Sequence, residues 1–471
     1  MTVNPSISPI IQGGMGIGIS GWPLARAVSL RGQLGVVSGV ALDTVMVCRL
    51  QDGDVGGHMR RAMAEFPIPG VAADVLRLYF RPEGRRPGLP YKILPVYKQV
   101  MSRARQLVTV LAAFVEVYLA KEGHQGMVGM NLLTKVQIPT LSSLYGAMLA
   151  GVDVILMGAG IPREIPAAFD HLAQHQPASL RFEVEGLPSG REEHLTLDPK
   201  GYWTSAPPEL RRPLFLAIIA SNSLATMLAR KASGRIDGFV IEGPTAGGHN
   251  APPRGAPRFN ERGEPLYGER DEVDLAKIAE LGLPFWLAGG AGRKGRLQEA
   301  LAAGASGIQV GTLFAYCDES GLAENLKRSV LAHAARGEVT VMTDPRASPT
   351  GYPFKVVRWP GDPGASVARE RLCDLGGLRV AYWTPEGKIG YRCPGEPVAA
   401  YVKKGGKVED TVGRQCLCNA LIADLGLGQV RANGQVEPPL VTSGDDLESI
   451  GGFLAGRTHY SAGDVLDYLM A

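Results

Sequence analysis

Phe285-Trp286-Leu287-Ala288-Gly289-Gly290, a helix-like segment from Lys294 to Ala303, and Gly307-Ile308-Gln309-Val310-Gly311-Thr312 together form the stretch that decides the fold. Two short, almost unbroken apolar runs flank one helical segment, and each run ends in glycine. Strands covered on both faces read this way, whereas a strand with one wet face alternates. The same rhythm extends toward the N-terminus. Candidate strands are Ile10 to Gln12, Leu34 to Ser38, Met127 to Asn131, Val154 to Met157, Leu214 to Ala220 and Gly238 to Ile241. Helix-like segments follow at Trp22 to Arg31, Thr140 to Ala150, Arg163 to His175, Asn222 to Ala232, Glu272 to Leu281 and Glu319 to Arg336. Strands alternating with helices predict parallel βαβ units and an α/β fold, a (β/α)8 TIM barrel. Periodicity alone also admits an open doubly wound sheet.

Two stretches interrupt the rhythm. Leu42 to Gln106 is far longer than a βα connection and holds helical pieces near Gly57 to Glu65 and Val71 to Phe80, so it reads as a helical insertion. Arg181 to Pro208 carries turn signals at Pro188-Ser189-Gly190 and Pro199-Lys200-Gly201 and reads as a hairpin excursion. Residues 1–338 are then the barrel, and 339–471 a C-terminal extension packed on it that ends in a helix from Ala462 to Met470.

The 49 basic and 46 acidic residues leave a formal charge of +3 with no basic block, which argues against nucleic acid as a partner. Leu107 to Ala120, the most apolar segment, carries Glu116 and is too short to span a bilayer, so it reads as a buried helix. Met1 to Met15 lacks the charged start of a secretory leader, and six cysteines in 471 residues fit a reducing compartment, so a cytoplasmic location is expected.

The chemistry gathers at the C-terminal ends of the strands, where this fold places its sites. Gly289-Gly290 and Gly311-Thr312 end the last two strands, and glycine there lets backbone N–H groups approach an anion such as a phosphate. After the sixth strand comes Ile241-Glu242-Gly243-Pro244-Thr245-Ala246-Gly247-Gly248-His249-Asn250. Small residues there allow a flat ring to lie against the backbone. His249 would stand at its edge, where an imidazole titrating near neutrality can take a proton from carbon.

Together with the opening Pro9-Ile10-Ile11-Gln12-Gly13-Gly14-Met15 and with Gln309-Val310-Gly311-Thr312-Leu313-Phe314, these motifs resemble the nitronate monooxygenase family over residues 9 to 335. That family is related to FMN-dependent enoyl-thioester reductases. The resemblance implies a flavoprotein oxidoreductase binding the nucleotide FMN. Gly289, Gly290, Gly311 and Thr312 would hold the phosphate, and Gly13, Gly14, Met15, Asn131, Gly247 and Gly248 would lie along the ring. His249 would be catalytic. Its expected activity is monooxygenase-type oxidation of a small nitronate or related carbanionic substrate, with O2 as oxidant. One alternative reduces an enoyl thioester with NAD(P)H through the same flavin, His249 being the proton donor. Another is a barrel that binds a phosphorylated ligand without flavin chemistry. The oligomeric state is left open.

Ser348-Pro349-Thr350-Gly351-Tyr352-Pro353-Phe354-Lys355 and the Cys393 to Cys418 region resemble a longer subgroup of the family. Cys373, Cys393, Cys416 and Cys418 read as small buried thiols and not as a metal site, because spacers of 19 and 22 residues separate the first three and no Cys-x2-Cys knuckle is present. Lys355 reads as a solvated lysine, His58 and His124 as non-catalytic, and Arg163 as a residue near the barrel mouth.

Overall fold

In the computed structural model, which describes residues 7–365 and 369–471, the short apolar runs form eight parallel strands. They are β1 (Ile10–Gln12), β2 (Gly35–Ser38), β3 (Val128–Leu133), β4 (Val154–Gly158), β5 (Leu214–Ile219), β6 (Gly238–Glu242), β7 (Phe285–Ala288) and β8 (Gly307–Val310). They pair in the order β1-β8-β7-β6-β5-β4-β3-β2. Hydrogen bonds between the first and last members then decide what periodicity could not. Ile11 bridges Leu34 just before β2, the Gln12 N–H donates to Leu34 O at 2.9 Å, and the Leu34 N–H donates to Ile10 O at 3.1 Å. The sheet is a barrel.

Alternation along each strand splits its side chains between two cores. Val36, Val154, Leu156, Leu214, Leu216, Val240 and Trp286 fill the interior, while Val37, Ile155, Met157, Phe215, Ala217 and Phe285 meet the surrounding helices. Each fully buried side chain of this size contributes about 1.5–3 kcal/mol of hydrophobic stabilisation.

Local signals set the helix boundaries. Ser221 caps Asn222–Lys231 by accepting the Leu224 N–H at 3.1 Å, and Ser461 opens Ala462–Met470 in a capping box with Asp464. The helix expected over Glu272 to Leu281 forms only at Leu275–Ala279, where Asp274 caps it by accepting the Lys277 N–H. A short helix, Thr312–Ala315, follows β8 directly, and the next begins at Glu324.

Between β2 and β3 the chain forms helices Leu42–Gln51, His58–Ala64 and Val71–Tyr79 before Arg103–Lys121. This last helix packs between Trp22–Leu30 and Thr140–Leu149, as a member of the outer ring should. The hairpin after β4 pairs Ala178–Arg181 with His194–Leu197. It starts earlier than expected because Ala178 and Leu180 alternate inward.

Beyond Val339 two further hairpins appear, Thr340–Asp344 with Phe354–Arg358 and Val380–Trp383 with Ile389–Arg392. The second is joined in parallel by Val184–Glu185 of the excursion. Residues 1–6, part of the stretch read for a leader, lie outside the described residues. Among the described residues no helix is long and apolar enough to cross a membrane.

Candidate active site

The strand ends open into one cavity of about 490 Å³, within the range of small-molecule and cofactor pockets. Gly13, Gly14, Met15, Asn131, Gly247, Gly248, His249, Gly289, Gly290, Gly311 and Thr312 all line it. Two glycines are there of necessity. A methyl group on Gly14 would collide with Asn131 Cβ, so only glycine lets the β1 loop lie against β3. Gly289 has φ of 87°, and a methyl there would sit 3.0 Å from Thr245 Oγ1, 3.1 Å from Gly243 O and 3.2 Å from Ala246 N.

Several polar atoms on this wall lack partners among the described residues. Asn131 Nδ2 donates to Gly14 O at 3.2 Å, yet its Oδ1 is buried without a hydrogen bond. Asn250 Oδ1, Gln309 Oε1 and Lys135 Nζ are in the same condition, and all four residues line the cavity. Buried polar groups are costly when unpaired. Their convergence on one space therefore marks it as built for a polar ligand, and their donor and acceptor character suits the edge of a heterocycle.

The C-terminal extension completes the site. Phe354 forms an antiparallel bridge with His249, in which the Lys355 N–H donates to Gly248 O at 2.9 Å and the Asn250 N–H to Pro353 O at 3.0 Å. At the glycine-loop end the Gly248 N–H donates to Thr442 Oγ1 at 3.0 Å and the Gly444 N–H to Thr312 Oγ1 at 3.1 Å. The Gly292 N–H is taken by Asp446 Oδ2 at 2.9 Å, so this amide is already engaged. Thr442, Ser443 and Asp446 line the cavity as well, and no sequence motif had marked them.

Lys355 corrects the expectation of a solvated side chain. It is 4% exposed, and its Nζ pairs with Asp445 Oδ1 at 2.5 Å. The strand that bridges His249 buries it, and a buried ammonium requires a counter-charge.

His249 Nε2 lies 2.6 Å from Ser348 Oγ, which contacts Thr350 Oγ1 at 2.8 Å and accepts the Thr350 N–H at 3.2 Å. If Nε2–H donates to Ser348 and Ser348 donates to Thr350, every hydroxyl site is used and Nδ1 keeps its lone pair. Nδ1 has no protein partner among the described residues. The ring also meets Phe354 edge-on at 4.8 Å between centroids.

Burial, followed by the charge of Lys135, pulls the imidazole down to about 3. The expectation that it titrates near neutrality is therefore corrected: the ring is neutral throughout the physiological range because a charged form would be desolvated beside a cation. Glu242, at the end of β6, moves the opposite way, and burial pushes its carboxyl up to about 7.

His58, His124, Arg163 and three of the four late cysteines stand apart from the cavity. His58 packs on Trp22 at 5.0 Å and contacts Arg61. His124 meets Ala120 O and the Gly126 N–H at the end of the buried helix. Arg163 is exposed and does not line the cavity. Cys373, Cys393, Cys416 and Cys418 are free thiols whose ionisation burial pushes upward, and only Cys418 reaches the cavity wall. Among the described residues no group of three or more His, Cys, Asp or Glu side chains is arranged to hold a metal ion.

Residues 209–348, from just before β5 to Ser348, match the family model described as nitronate monooxygenase. No curated protein matches the sequence. Among solved structures, FabK from Thermotoga maritima is 16% identical with a TM-score of 0.46, covering 98% of this chain and 91% of its own. A nitroalkane oxidase from Streptomyces ansochromogenes is 17% identical with a TM-score of 0.44, covering 98% of this chain and 94% of its own. The enoyl reductase domain of MlnA, from the macrolactin biosynthesis cluster of Bacillus amyloliquefaciens, is 12% identical with a TM-score of 0.47, covering 98% and 93%.

Proposed function

We propose that this chain, whose residues 209–348 match the nitronate monooxygenase family, is an FMN-dependent oxidoreductase that oxidises a small nitronate or a related carbon acid with O2. The observation that carries this reading is one cavity in which the His249 imidazole faces the glycine-rich strand ends and four buried polar atoms without protein partners among the described residues.

Gly289, Gly290, Gly311 and Thr312 would hold the FMN phosphate, and Gly13, Gly14, Met15, Asn131, Gly247 and Gly248 would border its ring. Bound there, FMN would accept the electrons that the substrate loses, with O2 as the final oxidant. The protein's own part is acid–base and steric. On a neutral nitroalkane, His249 would accept the proton from the carbon next to the nitro group, a step that a nitronate has already completed, and Ser348 holds the ring by the opposite nitrogen. Apolar walls from Ile17, Ile19, Ile218 and Leu224 keep water away from the exposed carbanion.

Two assays test the reading. O2 uptake with a nitronate in the absence of NAD(P)H, by protein carrying a flavin spectrum, is the expected result. NAD(P)H oxidation dependent on an enoyl thioester would overturn it, and so would a colourless protein that gains no flavin spectrum when incubated with FMN.

Smaller effects follow at two supporting positions. Gly289→Ala forces a side chain into a left-handed backbone and against Thr245, so FMN should be lost on gel filtration under conditions in which the parent retains it. Ser348→Ala removes one hydrogen bond worth about 0.5–1.5 kcal/mol. The expected outcome is a drop in kcat of about 2–10-fold with flavin content unchanged, and an unaltered kcat would deny Ser348 its positioning role.

A further inference from the structure

Lys135 sits in the turn after β3, and its Nζ is buried without a hydrogen-bond partner among the described residues. Among the described residues no carboxylate compensates it: burial alone draws its basicity down to about 7, and Glu242 is likewise shifted by burial alone. The nearest cover is the Tyr352 ring, whose centroid lies 2.8 Å from Nζ. A ring face attracts a cation but offers no oxygen to its three N–H donors. Lys135, Tyr352 and His249 line the same cavity, and Lys135 is close enough to His249 to weaken the basicity of its ring.

An amine buried without a partner is unstable unless something else completes it. The required partner must reach Nζ from the cavity, carry negative charge on oxygen, and fit beside a base that removes protons from carbon. A carbon acid whose conjugate base holds its charge on oxygen meets these conditions. A lysine suits it as a compact point charge, which needs no planar bidentate partner.

We infer that Lys135 is the substrate-anion site of this enzyme, its ammonium binding the charged oxygens of a nitronate while His249 faces the adjacent carbon and the Tyr352 ring yields to the incoming ligand. The inference rests on the proposed function for the identity of the substrate, but anion binding itself does not require that reading. Lys135 also accounts for a division of labour. Burial first and its charge second keep the neighbouring imidazole unprotonated, so base and anion site hold opposite proton states between about pH 3 and about 7.

The test uses the purified full-length protein and Lys135→Met, Lys135→Arg and the parent, with nitrate as a planar, unreactive oxyanion probe and propane-2-nitronate as substrate. Calorimetric titration should show nitrate binding to the parent at least ten-fold tighter than to Lys135→Met, with Lys135→Arg recovering part of the difference. KM for the nitronate should rise by a similar factor in Lys135→Met while flavin content stays at the parent level. Because the substitution removes an unpaired buried amine, Lys135→Met should melt no lower than the parent, and Lys135→Arg supplies the answer if it does.

Equal nitrate affinity in the parent and Lys135→Met, or none in the parent, would overturn the inference. If nitrate binding depends on Lys135 but no nitronate is oxidised, the anion site stands and the proposed function fails. If nitronate is oxidised with parental KM in Lys135→Met, the proposed function stands and the anion site fails.

Discussion

Replacing His249 by alanine is expected to lower kcat for a neutral nitroalkane by about 10²- to 10⁴-fold, the usual contribution of a positioned general base. The loss should be confined to the carbon-bound proton. A nitronate prepared in alkaline solution has already given up that proton, so the same variant should oxidise it at a rate close to the parent's. Equal losses on both substrates would remove His249 from the role of base. The pH dependence follows from the direction of its shift. A depressed pKa keeps the ring deprotonated to lower pH, here to about 3, whereas an ordinary imidazole near 6.5 would be almost wholly protonated at pH 5 and would lose about 30-fold in base form. No acid limb from His249 is therefore expected between pH 7.5 and 5. Any limb near pH 7 belongs to the other cavity groups that titrate there, Lys135 and Glu242.

The barrel was legible because strands buried on both faces write themselves as apolar runs. The glycine loops were legible because close backbone approach leaves only one residue type. Gly14 against Asn131 and Gly289 against Thr245 show that constraint in the folded chain. What could not be read is whatever depends on partners distant in sequence. His249 is held by Ser348, 99 residues on, and walled by Phe354, whose strand lies beyond the last βα unit. Lys135 looks like any other of the 49 basic residues until Tyr352 covers it. The default reading failed for Lys355 for the same reason, since its counter-charge, Asp445, comes 90 residues later. The neutral state of His249 was hidden too, because burial and a neighbouring cation are properties of the assembled cavity and not of the local motif.

The far rim of the cavity carries the largest expected effect on stability. There Asp43, Tyr97 and Arg105 line the wall, and Asp43 is 1% exposed while Arg105 is 9% exposed on their side chains. Arg105 Nη1 lies 2.7 Å from Asp43 Oδ2, Arg105 Nε donates to Pro95 O at 2.9 Å, the Thr109 hydroxyl donates to Asp43 Oδ2 at 3.2 Å, and the Tyr97 hydroxyl donates to the same carboxylate. Burial disfavours the Asp43 charge, but Arg105, the Tyr97 hydroxyl and the Thr44 N–H together outweigh it and hold the carboxyl below its ordinary value. Arg105→Met would strand that carboxylate, and removing one partner of a buried pair costs about 3–5 kcal/mol. Urea unfolding should show a loss of that size. A depressed carboxyl contributes stability that is present above its unfolded value near 3.9 and lost as pH falls through the folded one. The parent should therefore weaken in acid through this group, and the single variant should not. Asp43→Asn combined with Arg105→Met removes the stranded charge, so the double variant should recover much of the loss. A single variant that unfolds within about 1 kcal/mol of the parent would mean that the insertion is anchored by its apolar contacts and not by this ion pair.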